Sequence, residues 1–401
     1  MPIKKVLLCD WNFTFLFTFL NQWLWIYRKN SMAYSKKIIP LITLVFLWVI
    51  NVASSQAAKE FLPYFSYTLD AASVANGGLE EGERATGLVS AGFDWAPSFM
   101  GGGMFHVEIQ NLHGSNPSDY AGDFNWLSNI AGHSTTRLFQ MWYGHDTSWG
   151  AIKAGLVALD DDFAVSAPGQ LFINSGFGPT PVQSGNVGAP YWPIGGLGIW
   201  SKLNIGDNSY LQAGIYEGDT GSQQDNEEGV DLSLSGDEGA MIMLEYVQNA
   251  AATTWKLGGY LHTGREFTDY ATGRPDTGLI SLYTLLEQDL TQNVGIWGRF
   301  GTSLTEEVSK VRNSLDVGLV INSIFGRAGD RLGLAYLWTD FADEYGSANP
   351  GFSSSEKVLE LTYSAVFAGF LTVQPDIQWI FDSHYSNDDV FVFLLRAGIG
   401  F

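Results

Sequence analysis

Residues Phe391–Phe401 read FVFLLRAGIGF. Phe391, Phe393, Leu395, Ala397, Ile399 and Phe401 fall at every second position, with Arg396, Gly398 and Gly400 on the opposite parity. A repeat of two is the period of a β-strand with one apolar face. In a water-soluble sandwich that face would be core, so alternation alone does not decide the fold. A strand that finishes on an aromatic, Phe401, on its apolar side fits a barrel in a membrane better. Such a barrel is apolar toward lipid and carries aromatic girdles at its rims.

The same parity recurs upstream. Leu371, Val373, Ile377, Trp379 and Phe381 oppose Thr372, Gln374, Asp376 and Gln378. Leu359, Leu361, Tyr363, Ala365 and Phe367 oppose Glu360, Thr362 and Ser364, and Phe105, Val107 and Ile109 oppose His106, Glu108 and Gln110. Sixteen segments of this kind are expected, starting near Phe61, Thr86, Met104, Thr135, Gly150, Gly195, Ser209, Gly239, Thr253, Gly278, Val294, Ser314, Asp330, Lys357, Phe370 and Phe391. Their connections alternate long and short. The long ones are Ala72–Ala85, Ser115–Ser134, Asp160–Ile194, Glu217–Glu238, Arg265–Thr277, Leu304–Asn313, Phe341–Glu356 and Ser383–Val390. Between them lie turns such as Ile205–Asn208, Thr291–Asn293 and Ala368–Gly369. That rhythm predicts an all-β, antiparallel, up-and-down transmembrane barrel of sixteen strands with both ends at the periplasmic rim. Closure pairs every strand edge, which lipid requires, and sixteen strands leave room for an aqueous channel.

Asp160–Ile194 stands apart. It holds Pro168, Pro179, Pro181, Pro190 and Pro193, five glycines, and no formal charge after Asp160, Asp161 and Asp162. A connection this long without periodicity is usually functional. As the third external loop, it is expected to fold back into the lumen.

Composition narrows the function. The chain has 401 residues, 46% hydrophobic and only 16% charged, with 46 glycines and 14% aromatics. This suits many short strands and turns. The net charge of −21 argues against nucleic-acid binding, which needs clustered Lys and Arg. Its bland meaning is a solvated acidic surface; the alternative is an acidic pore that favours cations. Cys9 is the single cysteine, so a disulfide framework, a cysteine zinc site and a cysteine nucleophile are excluded from the expected mature chain. Near the start, Lys36 and Lys37 precede apolar Ile38–Val52 and the small residues around Ser55–Ala57, the pattern of a signal peptide over 32–57 cleaved after Ala57. A membrane anchor is the alternative, and the apolar run is short for a span. Residues 1–31 read as an upstream over-extension or an extra apolar leader, and 58–401 as the barrel. Without residues 1–57 the chain keeps 15 of its 21 basic and 41 of its 42 acidic residues, a net charge of −26.

Several stretches are familiar in their order. They include Gly77-Gly78-Leu79, Gly122-Asp123, Leu127–Ile130, Arg137-Leu138, Lys153–Phe163 (KAGLVALDDDF), Leu171–Gly178 (LFINSGFG) and Tyr191-Trp192-Pro193. Further on come Gly214–Asp219 (GIYEGD), Leu257–Tyr260, His262–Gly264, Glu287-Gln288, Leu359–Tyr363 (LELTY) and Leu371–Gln378 (LTVQPDIQ). Each is weak alone. Together, over nearly all of the expected mature length, they resemble the carbohydrate-selective porin family of the OprB type. The resemblance implies an outer-membrane barrel that passes sugars, often glucose-like, by facilitated diffusion, without energy input or cofactor. It leaves open which sugar passes.

A sugar channel needs hydrogen-bonding groups and aromatic faces at its narrow point, with binding weak enough to release the solute. Asp160, Asp161 and Asp162 open the long loop and are candidate acceptors, or else solvated acids at a strand end. Asn174 is a candidate contact or a local cap. Tyr191 and Trp192 are candidate stacking surfaces, against the commoner packing or girdle role. Arg299 and Arg396 face the lumen by parity, and Arg137 opens the fourth strand. Each either meets solute or forms a wall salt bridge, and together, opposite the acidic loop, they would set a transverse field. Glu245 faces inward too, as do Glu108, Glu287, Glu360 and Gln378, which are expected to be ordinary pore-wall polarity. The partners expected are carbohydrate solutes, outer-membrane lipid and the assembly machinery that would read Phe401. The six histidines show no HxxxH or HExxH spacing, and no GxSxG elbow occurs. A general cation-preferring porin and a barrel enzyme with dispersed Ser, His and acid remain the rivals.

Overall fold

A computed structural model describes residues 60–265 and 267–401. Cys9, the expected signal peptide at 32–57 and the leader before it lie outside the described residues. Sixteen antiparallel strands close a barrel in chain order. They are β1 (Phe61–Asn76), β2 (Gly82–Trp95), β3 (Gly103–Gly114), β4 (Thr136–Thr147), β5 (Gly150–Val157), β6 (Gly196–Asn204), β7 (Ser209–Glu217), β8 (Ala240–Ala250) and β9 (Thr253–His262). After a small hairpin, β10 (Phe267–Asp269) and β11 (Arg274–Asp276), follow β12 (Leu279–Asp289), β13 (Val294–Ser303), β14 (Val311–Asn322), β15 (Arg331–Phe341), β16 (Ser355–Phe367), β17 (Leu371–Phe381) and β18 (Val390–Gly400).

The expected parity holds. Phe391 and Phe393 face out, with Leu395, while Arg396 points inward and pairs in register with Asp70 of β1. Closure runs on to the last residue: Phe401 donates its N–H to the Phe65 carbonyl (2.9 Å) and accepts from Phe65 N (3.3 Å). Its ring stacks on Phe370 at 5.9 Å. On the outside, Trp95, Phe105 and Tyr143 contact one another in series at 6.1 and 5.1 Å, one arc of the aromatic girdle.

The rhythm of the connections is less regular than expected. The first loop shrinks to residues 77–81, because β1 and β2 run on and turn at Gly77 and Gly78, both at positive φ. The fifth loop, expected to be irregular, holds the β10–β11 hairpin. The long connections at 115–135, 158–195 and 218–239 stand as read.

Polar-inside alternation also fails over part of the barrel. Met241, Met243, Tyr260, Leu279 and Tyr283 face inward and are buried, and so do Trp297, Leu337, Val358, Ile380, Val392 and Leu394. Both groups are covered by loop residues: Leu159, Phe163, Val187 and Tyr191 on the first, Leu127, Leu171, Phe172, Ile173 and Phe177 on the second. The barrel contains a hydrophobic core made of wall and loop together.

Glycine explains how large rings fit against the wall. A Cβ on Gly258 would lie 2.4 Å from the Tyr283 ring, one on Gly318 2.6 Å from Trp297, one on Gly92 2.5 Å from Tyr64 and one on Gly198 2.3 Å from Tyr216. Each ring lies flat over a glycine of the next strand, the only residue that leaves the space. Gly258→Val should therefore push Tyr283 off the wall and cost about 1–3 kcal/mol through overpacking. It should lower the temperature at which the folded band converts on a heat-modifiability gel. Gly295→Ala, whose added methyl would meet its nearest atom at 3.5 Å, should leave that temperature unchanged.

Candidate functional site

Two loops enter the lumen, not one. Residues 158–195 cross it as expected, and 122–131 of the second loop accompany them. Folded inside a barrel, their peptide groups need partners, since each buried N–H or C=O left alone costs about 1–3 kcal/mol. The wall supplies them. Glu360 of β16 accepts Ile173 N at 2.6 Å and Asn174 N at 2.9 Å. Glu245 of β8 accepts Ala164 N (2.9 Å), and Glu287 of β12 accepts Ala167 N (2.8 Å). Glu356 of β16 takes Phe124 N, Asn125 N and, from the eighth loop, His384 N, at 2.8–3.0 Å.

Donors meet the carbonyls in the same way. Arg299 of β13 is paired to Asp316 at 2.8 Å and donates to Ala164 O (2.8 Å), Gly178 O (2.6 Å) and Phe177 O (3.3 Å). Lys256 reaches Val165 O at 2.6 Å, Gln374 reaches Leu171 O at 2.8 Å and Gln378 reaches Leu127 O at 2.9 Å. Asn186 of the loop bridges to the end of β14, accepting Val311 N and donating to its carbonyl, both at 2.8 Å. Just before it, Thr180 and Gln183 form a capping box on the short helix α1 (Pro181–Ser184). That Thr-Pro-x-Gln signal stands plainly in the sequence.

The ten candidate residues separate by exposure. Asp161 is open to the lumen, with Oδ2 accepting from Gln140 Nε2 at 2.8 Å. Trp192 is partly open and donates its indole N–H to Gln110 at 3.1 Å. Arg396 is partly open, bidentate on Asp70 at 2.7 Å and bound to Asn129 at 2.6 Å. Asp160 closes the loop at its base by accepting Trp192 N at 3.2 Å. Asp162 is tied to Lys153 at 2.6 Å.

The other five are sealed. Asn174 caps a turn at Gly176 and donates to Gln378. Tyr191 is core, Glu245 and Arg299 hold loop backbone, and Arg137 lies behind Pro193 with its Nε and Nη2 lacking protein partners. The expected field between loop acids and wall arginines is not what the contacts form. Arg299 pairs with Asp316 and Arg396 with Asp70, while the ion-pair partner of the acidic triplet is Lys153. Glu287, Glu360 and Gln378, read as plain pore-wall polarity, are loop clamps. Sequence reading also missed Gln140 and the second loop's entry. The signal for the latter was the uncharged run from Phe124 to Ala131.

Burial raises all three triplet carboxyls above the usual range, and Asp160, beside Asp161, is pushed up to about 7.

A family model described as "Carbohydrate-selective porin, OprB family" matches residues 90–401. Among solved structures, the high-pH structure of Pseudomonas putida OprB superposes with a TM-score of 0.77 at 22% identity, covering 86% of this chain and 94% of that one. The outer membrane channel DcaP of Acinetobacter baumannii gives 0.56 at 11% identity, over 85% of this chain and 97% of that one. These likenesses carry the barrel fold. No curated sequence matches.

Glu360→Leu should leave two buried N–H groups without acceptors and weaken loop docking by about 2–4 kcal/mol. Planar-bilayer recording should then show higher and noisier single-channel conductance, while Glu360→Gln, which keeps an acceptor, should change it less. For Asp160 the sign follows from a raised folded pKa. Its contribution to closing the loop base is full in acid and is lost as pH rises through about 7. Hydrogen exchange at Trp192 N should speed up across that range beyond its intrinsic rise, and Asp160→Asn should remove the excess.

Proposed function

The chain belongs to the carbohydrate-selective porin family, OprB type, and from that membership we propose that monosaccharides such as glucose and small oligosaccharides pass its outer-membrane barrel by facilitated diffusion between the third loop and the wall. Asp161, Trp192 and Arg396 line that passage, and the remaining candidates hold the loop that narrows it. The observation that carries the reading is the exposure of Asp161 in a loop whose backbone is fixed from base to tip. A fixed acceptor and a partly open indole suit a solute rich in O–H donors and C–H faces.

Transport of this kind needs no reaction step and no cofactor. Sugar hydroxyls exchange water for Asp161 and neighbouring amides, and passage continues because each contact is single and solvated. The outward belt of Leu, Phe and Trp meets outer-membrane lipid, export uses the signal peptide at 32–57, and the assembly machinery reads the C-terminal strand through Phe401.

Sugar-dependent block of the single-channel current separates this reading from a general cation porin. Glucose should reduce the current saturably at millimolar concentration. Asp161→Asn should weaken that block several-fold and lower the cation preference read from reversal potentials. A current unaffected by any sugar, with strong cation preference, would establish the general porin instead.

A further inference from the structure

Three indole–amide–carboxylate relays line one sector of the lumen. Trp142 Nε1 donates to Gln140 Oε1 at 3.0 Å, and Gln140 Nε2 donates to Asp161 at 2.8 Å. Trp200 Nε1 donates to Gln212 Oε1 at 3.1 Å, and Gln212 Nε2 donates to Glu245 and to the Asp162 carbonyl, both at 2.6 Å. Trp192 Nε1 donates to Gln110 Oε1 at 3.1 Å, and Gln110 Nε2 donates to Glu108 at 2.8 Å. In each, the indole fixes the amide oxygen, so the amide N–H group can only face an acid of the protein.

The consequence is a shortage of free donors. Lys153 is spent on Asp162 and lies 5.3 and 5.5 Å from the Trp142 and Trp200 rings. His106 is spent on Asp94 at 2.7 Å and is stacked on Trp142 at 4.8 Å. Arg137 has unpartnered N–H groups but is sealed. What the sector turns to the lumen is an acceptor: Asp161 is exposed, and no described residue donates to its Oδ1.

We propose that these relays make the constriction an acceptor surface, selective for neutral polyhydroxy solutes over the anionic acids of the same sugars, with Trp142 and Gln140 as positioning residues for Asp161. This rests on the sugar-porin reading above and names its substrate class. A neutral sugar donates a hydroxyl to Asp161. A carboxylated sugar brings a like charge to the same point and finds no open donor to offset it.

Current block by glucose and by gluconate, measured side by side, tests this. In the wild type the half-blocking concentration of gluconate should exceed that of glucose at least about tenfold, a difference of about 1.4 kcal/mol. Trp142→Phe keeps the ring and removes the indole N–H, so Gln140 can turn its amide donor to the lumen. The ratio should then fall about threefold or more. Gln140→Leu, which leaves Asp161 unheld, should lower it as well and serves if the first variant does not assemble. Trp379→Phe on the lipid face should leave it unchanged. Absence of glucose block in the wild type would overturn the sugar-porin reading itself. Equal block by both solutes would overturn only the acceptor surface. Discrimination that survives both Trp142→Phe and Gln140→Leu would overturn the role of the relays.

Discussion

A peptide group inside a membrane barrel has no spare water to fall back on, and that constraint shapes the whole interior. Strands meet it by pairing. The two inserted loops cannot, because they lack regular structure, so the wall meets it for them. Glutamates at 245, 287, 356 and 360 receive loop N–H groups, and Arg299, Lys256, Gln374 and Gln378 cap loop carbonyls. The charges are then not a lining laid out for solute. They are the counterpart of the hydrogen-bond ladder, built from side chains.

Apolar packing does the rest. Phe172, Ile173 and Phe177 lie against Trp297, Leu337 and Val358, a core that belongs to neither loop nor barrel alone. Burial of such side chains contributes about 1.5–3 kcal/mol each. The polar clamps give the loop its register on the wall, and the rings and aliphatics give it its hold. The channel is what this packing leaves open.

The barrel was legible from one rule, the parity of Phe391–Phe401 and its kin, because a period of two has one structural meaning when it recurs along a chain. All sixteen barrel strands were foreseen, most of them starting within a residue or two. Loop entry at Asp160 was legible too, from a long uncharged stretch that solvent would not favour. The clamps were not. Glu360 and Ile173 are 187 positions apart, and no local pattern connects a glutamate to a distant peptide group. Parity showed that Arg299 faced inward; it did not show that a loop would occupy the space before it. The same limit hid the apolar inward faces of β8, β13 and β17, which looked like departures from alternation and are the seat of the loop. The glycines and rings, counted at the start as two separate excesses, prove to be one arrangement, since each flat ring requires a bare Cα beside it.

A socket that grips peptide groups is indifferent to most of the side chains it holds. At Asp161 or Ala167 the loop offers its N–H and C=O inward while its side chain is free to differ. Such a barrel separates the task of folding from the task of choosing a solute. Selectivity can drift through the loop by single replacements while the scaffold stays fixed, so this architecture is evolvable at its narrowest point.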